Sequence, residues 1–166
     1  MTFIGIDNGA TGTIGIIPSA GPQFASIHKM PSMESLNYQK SKVTYVTRID
    51  HYALRELLQG LEHKSGLRAV VERPFTMASA TKAVLNAQRA LESVIINLEL
   101  LDIGYEFIDS KLWQKAFLPP GLKGAALKQG SLDVGKRMFP HIEWDGFKDA
   151  DGLLIAEYAR RHNGAD

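Results

Sequence analysis

The chain has 166 residues, 45% hydrophobic and 22% charged, which is long enough for one domain with a proper core and ordinary for a globular protein in water. Cys is absent, excluding disulfides, Cys-zinc sites and thiol nucleophiles; no run approaches the ~18 apolar residues of a membrane span, and no basic segment leads into an apolar signal stretch. Net charge is +1, a total that does not point to nucleic acid, and a cytoplasmic setting is expected.

Thr2 to Ile17, TFIGIDNGATGTIGII, reads as two strands around a Gly-rich turn. Phe3, Ile4 and Ile6 form an apolar run without helical period. Asn8-Gly9 and Thr11-Gly12 tolerate positive φ, and Thr13 to Ile17 offers β-branched residues for the returning strand. Asp7 is the anomaly, because a carboxylate in a central strand is costly to bury without a charge against it. The competing reading is that it only caps the turn.

Gln23 to Lys29 is expected to form a third strand, completing an antiparallel meander, and Met30 to Thr47 a long connection with Lys40 and Lys42 exposed. Asp50 is a good N-cap for a helix with Leu54, Leu57, Leu58 and Leu61 at helical spacing, ended by Ser65-Gly66. Leu67 to Glu72 (LRAVVE) is a buried-type strand that also runs into a carboxylate before Pro74. The helix before it makes this strand parallel to an earlier one.

Ala78 to Leu101 is the longest predicted helix, with Val84, Leu91, Val94, Ile95, Leu98 and Leu101 on a wide apolar face. Gly104 to Ile108 gives a fifth strand, after which Asp109 or Ser110 caps a turn containing Trp113, read as a core anchor. Pro119-Pro120-Gly121 breaks the chain before a basic amphipathic helix over Leu122 to Phe139, closed by Pro140. The last helix runs from about Asp149 to Arg161 with Leu153, Leu154, Ala156 and Tyr158 as its apolar face.

Three antiparallel strands extended by parallel ones through helical crossovers is an α/β, ribonuclease H-like arrangement: a five-stranded mixed sheet flanked by helices, in one domain over residues 1–166. It makes the Asp7 and Glu72 strands neighbours, and two like charges so close are unfavourable unless a cation joins them. The last helix can bring Asp149, Asp151 or both to the same point. An oxygen-only set suits Mg²⁺ or Mn²⁺ rather than zinc, and the five His show no ligand spacing. Two such ions would activate a water and stabilise the leaving oxygen in phosphodiester cleavage. The charge distribution is weakly in accord. Lys111, Lys115, Lys123, Lys128, Lys136 and Arg137 meet only Asp133 before Pro140, and the remainder of the chain is rich in carboxylates.

The motifs GIDNGATG, VVERP, FIDSKLWQKAF, LKQGSLDVGKRMFP and DADGLLIAEYARR, spread from residue 3 to residue 161, resemble those of the RuvC-like Holliday junction resolvases, in particular their compact phage versions. The resemblance implies that Asp7, Glu72 and Asp151 are metal-binding catalytic residues. It also implies that Lys128 approaches the scissile phosphate or DNA backbone, and that a homodimer cuts opposed strands of a four-way junction. The family often carries a further acid one turn before the last aspartate, where this chain has Lys148. Asp149 is the nearest substitute and Asp145 a second candidate. Residues two apart on a helix point about 200° away from each other, so Asp149 is expected to contribute only from at or before the N-cap.

Three other readings are open. Sugar kinases and actin-like ATPases also begin with a GIDxG strand but need two such lobes. A catalytically silent junction-binding module would not need Asp7, Glu72 and Asp151 all to be acidic. A ribonuclease H-type nuclease would use the same carboxylates on an RNA–DNA hybrid. For the assembly, the small residues Ala83, Ala87 and Ala90 beside Val84, Leu91 and Val94 make the long helix the expected dimer seam.

Overall fold

Alternation along the strands sets the architecture. The structure, a computed structural model, describes residues 1–37, 43–61, 66–74 and 81–163. Strand β1 (Thr2–Ile6) pairs antiparallel with β2 (Thr13–Ile17), and β2 with β3 (Ser26–Lys29). On its other edge β1 pairs parallel with β6 (Leu67–Glu72), which pairs parallel with β7 (Gly104–Ile108). The sheet order is β3-β2-β1-β6-β7, the five-stranded mixed sheet expected from the sequence.

Side chains alternate between its faces. Ile4, Ile6, Ile14, Ile16, Ala69 and Val71 pack beneath α1 (His51–Gln59) and α2 (Thr81–Leu100). Phe3, Val70 and Ile108 face the opposite layer, made of α3 (Ser110–Phe117), α4 (Gly124–Met138) and α5 (Asp151–Asn163). Continuing the alternation puts Asp7 and Glu72 on this second face.

Helix α5 lies on β1 and β2 with unusual closeness. A Cβ added at Gly5 would stand 2.1 Å from the Gly152 carbonyl oxygen, and one at Gly15 2.2 Å from Leu153 Cα. Gly152 is equally committed, its own Cβ position lying 2.4 Å from the Thr13 carbonyl oxygen. Bare backbone therefore meets bare backbone, and this sets the depth at which the start of α5 rests on the sheet.

Several expectations are corrected. Residues 30–47 are not a featureless loop: β4 (Ser32–Leu36) and β5 (Tyr45–Ile49) pair into a separate antiparallel hairpin. Strand β4 buries none of its side chains, so it lacked the alternation that marks a strand in sequence. Lys40 and Lys42 lie outside the described residues. The third strand begins only at Ser26, after a 3₁₀ turn at Pro22–Phe24 where Pro fits the first position. Neither Gly9 nor Gly12 takes positive φ. Gly12 is needed for space instead, since a Cβ there would sit 2.2 Å from the Asp7 carbonyl oxygen. Helix α1 ends at Gln59, before the expected stop, and Ser65 lies outside the described residues, as do the first expected residues of α2, 78–80. Helix α4 is shorter at both ends than Leu122 to Phe139. Asp50 caps α1 as expected, accepting from the Tyr52 and Ala53 amides at 3.1 Å each. No helix among the described residues is long and apolar enough to cross a membrane.

Candidate active site

The parallel register pairs Ile6 with Val71, so the next residues, Asp7 and Glu72, leave adjacent strands at the same level. Asp7 begins the turn to β2, where its amide donates to the Thr13 carbonyl at 3.0 Å. Helix α5 starts at Asp151, not at Asp149 as the sequence implied. Asp149 therefore precedes the helix, free of the helical geometry that would have turned it away, and is 2% exposed. One carboxylate oxygen from each of Asp7, Asp149 and Asp151 lies within 4.8 Å of the others, a grouping that could hold a metal ion. Glu72 adjoins this trio without joining the 4.8 Å grouping, and the charges of Asp149 and Asp151 act on it. Asp145 is exposed and outside the grouping, whereas Asp149 lies within it.

The packing of acids is costly, and it raises their pKa values. Burial, then the charges of Glu72 and Asp149, push the Asp7 carboxyl up to about 7 against the pull of Lys128. Burial raises Glu72 to about 7, partly offset by a hydrogen bond from Trp113, with Asp151 and Asp149 adding repulsion. Asp151 rises to about 7 through burial and Asp149, opposed by a hydrogen bond from Ser131. Carboxylates held where their charged forms are disfavoured have a strong demand for cations. Lys128 on α4 meets part of it: its ammonium donates to Asp149 Oδ2 at 2.9 Å while its side chain stays 52% exposed. The Asp149 bond is the chief reason that the Lys128 pKa is raised.

Neutral donors hold the acids in place, and sequence reasoning missed them in this role. Trp113 is fully buried, as a core anchor should be, and its Nε1 donates to Glu72 Oε2 at 2.7 Å. Ser131 Oγ donates to Asp151 Oδ1 and accepts from the Ala150 amide at 3.1 Å. Thr13 Oγ1 reaches Asp149 Oδ1 at 3.4 Å and accepts from the Gly152 amide at 3.0 Å. A signal existed for Ser131. It lies three residues after Lys128, on the same face of one helix. Asp109 occupies the N-cap of α3 without a side-chain capping bond and instead pairs with Arg73 at 3.4 Å.

No protein-family model matches the chain, and no curated protein sequence matches it. Among solved structures, Thermus thermophilus RuvC in complex with a Holliday junction substrate superposes with a TM-score of 0.64 at 17% identity, covering 98% of this chain and 96% of that one. The fold is that of RuvC. A second Thermus thermophilus RuvC structure gives a TM-score of 0.53 at 14% identity over 98% and 97% of the two chains. The likeness spans both chains almost end to end, which bears out the ribonuclease H-like architecture.

Proposed function

We propose that this chain is a metal-dependent, structure-specific endodeoxyribonuclease that cuts four-way or related branched DNA, as in recombination and repair. The observation that carries this reading is the convergence of Asp7, Glu72, Asp149 and Asp151 beside one half-exposed lysine, on a fold shared with RuvC over nearly its full length. The oxygen-only donor set fits a hard divalent cation, Mg²⁺ with Mn²⁺ as substitute. Asp7, Asp149 and Asp151 would hold it, with Glu72 at the margin. Such cations, when bound, supply an acidified water and neutralise charge on the leaving oxygen. The chain's own contribution is to orient the carboxylates through Thr13, Ser131 and Trp113. Lys128 would carry positive charge to the incoming phosphate.

Paired cuts call for two sites related by a two-fold axis, and we take a homodimer as the working assembly. The seam expected from sequence needs adjustment, because Ala90 and Val94 are buried in the chain's own core. The exposed stripe of α2 is Leu85, Arg89, Glu92 and Ile96, with Leu85 53% and Ile96 45% exposed. These four lie within about 60° of one another around the helix. An antiparallel pairing of two copies about the Ala90–Leu91 midpoint sets Leu85 on Ile96 and Arg89 on Glu92. A groove of about 760 Å³ beside this stripe, between α2 and β5, opens toward the Gly9–Thr11 turn.

The experiment is to incubate the protein with Mg²⁺ and labelled four-way junction, linear duplex and RNA–DNA hybrid in parallel. Paired cuts confined to the junction are expected. Preference for the hybrid would make the chain a ribonuclease H-type enzyme, and binding without cutting would make it a junction-binding module.

A further inference from the structure

We infer that Trp113 is a positioning residue for the metal site, acting through Glu72. The inference rests on the metal-binding reading above. Glu72 differs from the other acids in its origin. Asp149 and Asp151 are set by the backbone contact of α5 with the sheet, and Asp7 by the turn that follows β1. Glu72 closes an open strand end, and its longer side chain has more rotamers to lose. Among the described residues it is held by a single side-chain hydrogen bond, the one from Trp113 at 2.7 Å.

Trp113 is well suited to that task. Its ring is fully buried among Phe3, Val70, Ile108 and Leu154, so the indole cannot swing away, and an indole N–H can only donate. It therefore holds one carboxylate oxygen and leaves the other free. The bond is made to the ionised form without adding a competing positive charge. A Lys or Arg at this position would neutralise the acid and weaken its hold on a cation. A neutral donor orients it without cancelling its charge, as outer partners of metal ligands generally do. Helix α3 thereby becomes part of the site, although none of its residues enters the acidic trio.

The chain has two Trp, and Trp144 donates elsewhere, to the Phe139 carbonyl at 3.3 Å. Replacing it, Trp144→Phe, leaves Trp113 as the sole indole reporter. In that protein Mg²⁺ titration should shift the indole emission, with its midpoint at the dissociation constant that calorimetry gives. The shift should vanish when Glu72→Ala is added. Trp113→Phe keeps an aromatic ring in the core but removes the donor, and should weaken Mg²⁺ binding by about tenfold. Added to Glu72→Ala, it should change the affinity by less than about twofold, because residues acting as a unit are not additive. Wild-type affinity in a folded Trp113→Phe protein would overturn the inference and leave the metal site standing. So would a silent indole while calorimetry reports binding. No Mg²⁺ binding by the wild-type protein would remove both readings.

Discussion

The two faces of the sheet are built on opposite terms. On the α5 face, glycines at positions 5, 15 and 152 press backbone on backbone, and Gly12 leaves room beside Asp7. On the α2 face, Leu85, Ile96 and Leu100 are exposed, and the β4–β5 hairpin leaves Met33, Leu36 and Tyr45 in solvent. The first arrangement accepts the cost of crowded charge for a fixed geometry. The second leaves apolar side chains exposed. The lesson is that precision and availability are separated: the acids lie where backbone packs on backbone, and the exposed apolar residues lie on the other face.

The sharpest way to break the contrast is to change one residue on each side. Gly15→Ala should cost about 3 kcal/mol or more, since the new atom meets the Leu153 backbone rather than a side chain that can yield. Leu36→Ser on the exposed hairpin should stay within about 0.5 kcal/mol. Chemical denaturation of the two variants checks both.

Next in size is the pH response of the acid cluster. Asp7, Glu72 and Asp151 have folded-state pKa values near 7, above about 4 in the unfolded chain. The folded state therefore binds more protons across that window. The cluster's contribution to stability is full below pH ~4 and is lost as pH rises through ~7. Asp7→Asn should abolish cleavage and flatten this decline in metal-free protein. The lowered pKa of His28, caused by burial, acts in the opposite sense and is common to both proteins. Thermal melts at pH 5 and pH 8 supply the comparison, and a decline equally steep in both proteins would show that Asp7 is not its source.

On the other face, Arg89→Glu should shift the protein toward monomer in sedimentation, and Arg89→Glu with Glu92→Arg should restore the dimer. Restoration is the informative arm, because simple surface disruption would not produce it. The smallest expected effect is at Lys128. If its ammonium contacts one phosphate, Lys128→Ala should flatten the slope of log K against log salt by about 0.9. Unchanged binding with slower cleavage would place its role at the scissile phosphate.

How much of this was legible follows the same division. Short apolar runs and strand-ending acids identified the sheet and brought Asp7 to Glu72, because burial on both faces writes itself into composition. Asp149 was harder. Its part depends on α5 starting two residues late, and helix boundaries are set by local bonds, here the Asp149 carboxylate to the Asp151 amide at 3.4 Å. The hairpin was illegible because most of its side chains are exposed, with Ile49 its one buried residue, and strands that bury so little carry no periodicity. Trp113 and Thr13 were hidden for another reason: a buried donor looks like any core or capping residue until its acceptor is known.

The central claim is that the acids form one cation site, and the most direct measurement is thermal melting at pH 8 with and without Mg²⁺ for the wild-type, Asp7→Asn and Asp149→Asn proteins. At a Mg²⁺ concentration about 100 times Kd the wild-type should gain about 2.7 kcal/mol, or about 5–10 °C in a domain of this size. Neither variant should gain more than a small fraction of that. Equal Mg²⁺ shifts in all three proteins, or none in the wild-type, would contradict the account.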